Sequence, residues 1–149
     1  MQHFEEPLGA PDLHIAGLRL WVHGRQIPMA DDYWDGNWLH VTVHCAAPGA
    51  HVWVTGPILH VPDIAHFLRG VEAIHASLQG EAILSCIEPE LAVTLTAERL
   101  GHMTMVVAIT SDHLSQTHRF TFTLDQSYLP PVIDSCRTIL RQYPVKGQS

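Results

Sequence analysis

The chain reads as a single α+β domain: a mostly antiparallel sheet with two amphipathic helices packed on it. Three observations carry this. Strands of alternating polarity follow one another across short turns, which favours antiparallel hairpins. Two segments, Pro62 to Gln79 and Pro130 to Tyr143, instead place apolar residues three and four apart. The 149 residues suit one domain, and the 46% apolar and 15% charged fractions provide a core without disulfides or metals.

Residues 1–11 read as a loose N-terminal arm. Leu13 and Ile15 form a first alternating piece. Leu18, Leu20 and Val22 then alternate with Arg19, Trp21 and His23, and Gly17 between the pieces marks a bulge or bend. Gly24-Arg25 is a turn signal. Asp35-Gly36-Asn37 is a tight turn, with glycine supplying a positive φ. From there Leu39, Val41, Val43 and Cys45 face one side of a strand; Trp38, His40, Thr42 and His44 face the other. Ala46 to Gly49 loops back into the strand His51–Thr55, which Gly56-Pro57 breaks.

The first helix has Pro62 for its first position, Asp63 for the positive end of its dipole and Gly80 for its stop. Strands follow at Ala82–Ile87, Leu91–Thr96, Met103–Thr110 and Gln116–Leu124, the third nearly all apolar and therefore central. Pro130-Pro131 starts the second helix and Pro144 ends it. Lys146 to Ser149 should fray. The halves echo each other in element order without a sequence repeat.

A net charge of −7 argues against non-specific nucleic-acid binding and suits a basic protein partner. No signal peptide is visible, and no apolar run approaches the ~20 residues of a membrane helix. Three scattered cysteines, Cys45, Cys86 and Cys136, fit buried reduced thiols. The expected location is cytoplasmic.

Twelve histidines raise a metal reading that spacing weakens. His40 and His44 share a strand face but lie roughly 13 Å apart, too far for one ion. His66 and His75 are not in an i,i+4 relation. A cross-strand pair such as His44 with His51 remains conceivable, but no metal or other cofactor is expected. Asp31, Asp32 and Asp35 could act as acid and base, yet no basic or nucleophilic companion is adjacent, so the chain is not expected to be an enzyme. The acids, with Tyr33, Trp34, Trp38 and Trp53, better suit a partner-binding surface, because Trp and Tyr anchor interfaces and acids attract a basic partner. The same residues could instead plug one end of the sheet.

The run Asp32-Tyr33-Trp34-Asp35-Gly36-Asn37-Trp38-Leu39 and its alternating strand resemble the bacterial immunity proteins of the wall-associated-toxin (WapI) type. Ile87-Glu88-Pro89-Glu90-Leu91 and the segment from Leu124-Asp125-Gln126-Ser127-Tyr128-Leu129 to Ile139–Val145 agree. The resemblance implies a cytoplasmic protein that binds and neutralises the toxic C-terminal domain of a contact-dependent toxin, typically a nuclease, without cofactor or catalysis. The alternatives are a structural or scaffold protein, such as a homodimer through a sheet edge or aromatic face, and a small enzyme built on Asp31, Asp32 and Asp35.

Overall fold

The computed structural model describes residues 8–149. Residues 1–7 of the expected N-terminal arm lie outside the described residues. Residues 9–12 are tied down: Trp21 Nε1 donates to the Gly9 carbonyl at 3.0 Å, and Val22 N–H donates to Asp12 Oδ2 at 2.7 Å.

Among the described residues the architecture is two consecutive meanders, each of four antiparallel strands and each followed by a helix. The first comprises β1 (Leu13–Ile15), β2 (Leu18–Arg25), β3 (Trp38–Ala47) and β4 (Ala50–His60), followed by α1 (Val61–Ser77). The second comprises β5 (Glu81–Ser85), β6 (Leu91–Ala97), β7 (His102–Ile109) and β8 (Arg119–Asp125), followed by α2 (Leu129–Gln142). The α+β class, the antiparallel pairing and both helices are as the periodicity predicts. The strands divide into two sheets rather than one, because α1 separates them and β5 pairs only with β6.

One hydrophobic cluster joins both sheets and both helices. In the first sheet Leu20 sits opposite Val43, and Val43 opposite Val54, all turned inward. In the second, Leu84, Val93, Val107 and Phe120 form one inward row across four strands. The helices close the same cluster through Ile64, Phe67, Val71 and Ile74 of α1 and Val132, Cys136 and Ile139 of α2. Arg137 and Glu72 pair at 2.6 Å between the helices; half exposed, such a pair contributes at most about 1 kcal/mol.

Four local expectations are corrected or narrowed. Of the bulge or bend expected at Gly17 the structure has the bend: with Ala16 it makes a two-residue hairpin turn, with Ile15 opposite Leu18. A Cβ there would lie 2.0 Å from the Ala46 carbonyl and 2.8 Å from the Phe122 ring of β8, so glycine lets the two sheets approach. Gly24-Arg25 is not a turn: β2 runs through it, and a register shift between Val22 and Gly24 absorbs the irregularity. Gly56-Pro57 does not break β4, which continues to His60. β4 is an edge strand, where proline needs no ladder donor, and a second register shift falls opposite Gly56. Finally, α1 stops at Ser77. Leu78 adopts a left-handed conformation (φ 57°), its N–H bonds the Ile74 carbonyl, and Ser77 Oγ binds the Ala73 carbonyl.

Candidate partner-binding surface

Between β2 and β3 the chain makes a loop over residues 26–37, closed at its neck by Gln26 N–H donating to the Trp38 carbonyl at 2.8 Å. Loops of this closed type are packed by their own groups and are often functional. The local chemistry is that of consecutive turns. Ala30 N–H bonds the Ile27 carbonyl (3.1 Å), with Pro28 at the second position, as a β-turn favours. Asp32 Oδ2 accepts from Asp35 N–H (2.9 Å), and the Asp32 carbonyl accepts from Gly36 N–H (3.0 Å). A single 3-10 turn, Asp35–Asn37, leads into β3.

The loop is held from beneath by the end of the chain. Asn37 is fully buried. Its Nδ2 donates to the carbonyls of Tyr33 (2.7 Å) and Lys146 (2.9 Å), while Oδ1 accepts from Lys146 N–H (2.9 Å). Lys146 Nζ donates to the carbonyls of Pro28 (3.0 Å) and Ala30 (2.9 Å) and lies 3.5 Å from Asp31. The Arg25 guanidinium donates to the carbonyls of Gly36 (2.6 Å) and Pro144 and lies over the Tyr143 ring. Fraying from Lys146 was therefore the wrong expectation at that residue: an ammonium that satisfies two loop carbonyls anchors the tail. Gly147 follows with φ +65°, and a Cβ there would meet Tyr33 N at 2.7 Å.

His60, buried at the end of β4, is the hub of the aromatic residues. Its ring stacks on Trp34 (centroids 5.6 Å, interplanar angle 16°), meets Tyr33 edge-on (5.5 Å) and lies 4.7 Å from Trp38. Nε2 faces the Trp34 carbonyl at 3.1 Å, so that nitrogen carries the proton. Trp34 nonetheless keeps 53% of its surface exposed, and Asp31, Asp32 and Asp35 are exposed.

The structure thus brings together six of the seven expected residues: Asp31, Asp32, Tyr33, Trp34, Asp35 and Trp38. Trp53 is elsewhere. Its register partner is His44, whereas the partner of Trp38 is His60. Trp53 stacks on His44 (4.0 Å) and Trp21 (5.9 Å) on the outer face of the first sheet. There His44 Nε2 and His51 Nδ1 are 2.9 Å apart, one ring nitrogen donating to the other. Among the described residues no three His, Cys, Asp or Glu side chains converge as a metal would require.

Nucleophilic chemistry is disfavoured. Burial pushes the thiols up: Cys45 to about 11, Cys86 and Cys136 to about 12, with Asp63 raising Cys86 further and Glu72 raising Cys136. Asp63 itself is raised, first by burial. None of the three loop aspartates lines the clefts of about 600 Å³ by Leu78 and Leu100 or about 420 Å³ by His14 and Tyr128. What the loop offers is a surface whose backbone is held by hydrogen bonds from beneath.

Comparison with known families meets this geometry. The Immunity protein WapI-like family matches residues 12–144, from the start of the first meander to just past the end of α2. The chain belongs to the WapI-like immunity protein family. No curated protein and no solved structure matches it. Membership in the WapI-like family points to a toxin-neutralising role and to a protein partner, and immunity proteins are generally non-catalytic. Among the described residues no helix is long and apolar enough to cross a membrane.

Sequence reasoning missed Arg25, His60 and Lys146. His60 had a weak signal, standing two residues before Pro62 at the cap of a helix. Lys146 had none, since it acts 109 positions from Asn37 in the chain.

Proposed function

We propose that this WapI-like protein is a cytoplasmic binding protein that neutralises a toxin domain by occluding it, with no catalytic step. Asp31, Asp32, Tyr33, Trp34 and Asp35 form the contact surface. Trp38, half-buried against His60, supports them from below. Trp53, part of a separate stack, lies outside this contact.

The observation that carries the reading is the half-exposed Trp34 among three exposed carboxylates on a loop fixed from beneath. A prefixed aromatic anchor loses little entropy on binding, and the acids steer a basic partner. The test is co-expression with a toxin domain encoded beside this chain. Restored growth and a stable co-purifying complex are expected; continued toxicity with no complex would contradict the proposal.

One observation favours a second reading, a homodimer. β4 is an eleven-residue strand at the edge of its sheet, a template for pairing with another strand. Pro57 opposes this by removing a donor, so the dimer ranks second. Sedimentation at micromolar concentration separates the two.

A further inference from the structure

The loop carries more than the acidic turn. Ile27 is 44% exposed and Met29 90% exposed, and with Trp34 they put three large apolar side chains at the surface within eight residues. Isolated exposed apolar residues are ordinary; three on one loop whose backbone is held from beneath are the kind of exposure that interaction surfaces show. Met29 stands at the third position of the Pro28 turn, whose backbone is fixed by the Ala30–Ile27 bond and by Lys146 Nζ on the carbonyls of Pro28 and Ala30. The polar clamp occupies the inside of the loop, which leaves the apolar tip outside.

Charge narrows the occupant. Among the described residues the two cations at the loop, Arg25 and Lys146, are turned inward: Arg25 onto the carbonyls of Gly36 and Pro144, Lys146 onto those of Pro28 and Ala30. Asp31 is 3.5 Å from Lys146, yet its side chain is 92% exposed. Outward charge is therefore that of Asp31, Asp32 and Asp35. A second copy of this chain would bring carboxylates against carboxylates.

We infer that the contact surface extends to Ile27 and Met29, and that its occupant is a cationic protein surface with an apolar hollow that receives Met29. This rests on the toxin-binding reading above. Methionine suits the role because its unbranched, polarisable side chain adapts to an irregular hollow. Carboxylates around the hollow would speed encounter and make it salt-sensitive.

The test measures association of the purified toxin domain used in the co-expression experiment with wild-type protein, Met29→Asp, Met29→Ser and Leu114→Asp. Leu114 is a control: also highly exposed, but on the turn between β7 and β8. The expected result is a loss of about tenfold or more in affinity for Met29→Asp, a smaller loss for Met29→Ser and none for Leu114→Asp. The wild-type association rate should fall with added salt. Equal affinities for all four proteins would overturn the inference while leaving toxin binding intact. No complex with wild-type protein would overturn both. Self-association of the wild type that Met29→Asp abolishes would assign the patch to a second copy and overturn the inference. Melting temperatures check folding, and Met29→Ser, which adds no charge, decides the matter if Met29→Asp does not fold.

Discussion

Asn37 shows how one side chain fixes the loop. Both amide hydrogens go to carbonyls and the oxygen receives an N–H, so only one orientation of the amide fits. Asn37→Ala would leave buried partners unsatisfied and should cost about 1–3 kcal/mol in urea unfolding. Asp125 plays a different residue-scale part. Its carboxylate accepts from the N–H and hydroxyl of Ser127 in the turn that leads into α2, and these bonds hold its pKa below the ordinary value. A lowered pKa means stabilisation that is present above the unfolded-state pKa and lost as pH falls through the folded one. Asp125→Ala should therefore melt lower than wild type at pH 7, and the gap should close in acid below the usual carboxylate range. Much at this scale was legible. Asp-Gly-Asn announces a turn, but the positive φ expected at Gly36 is absent; glycine is needed there because a Cβ would lie 2.7 Å from the Ala30 carbonyl. The destination of the Asn37 amide was not legible, because its partner lies at the other end of the chain.

At the scale of elements, periodicity located the strands and helices because each has one face in a common core. It failed where tertiary packing overrides a local breaker. Gly24 and Gly56 look like interruptions, but neighbouring strands carry the ladder past them with register shifts. Gly17 sits where the first hairpin meets β8, and Gly17→Ala should destabilise the fold by about 3 kcal/mol or more, measured by denaturant unfolding. The tail is an element in its own right. Truncation before Lys146 removes the contacts with Pro28, Ala30 and Asn37. It should leave the sheets folded while speeding amide exchange at Asp35 and Gly36; unchanged exchange would mean the loop holds itself.

Across the whole molecule, the two meanders and their helices form a scaffold whose core uses no metal or disulfide among the described residues. The three thiols should stay unreactive toward a thiol reagent at neutral pH until the protein unfolds, since burial disfavours each thiolate. The candidate surface was partly legible at this scale. Its acids and aromatics are contiguous in the sequence, so six of the expected residues meet. Trp53 was misplaced because strand register, which puts it opposite His44, depends on where the turn between β3 and β4 falls. The loop is held from beneath and presents Trp34 outward. Trp34→Ala tests it most directly, with melting temperature and toxin neutralisation measured on the same preparation. The variant should melt within a few degrees of wild type and no longer protect. A chain that unfolds, or one that folds and protects fully, would contradict this.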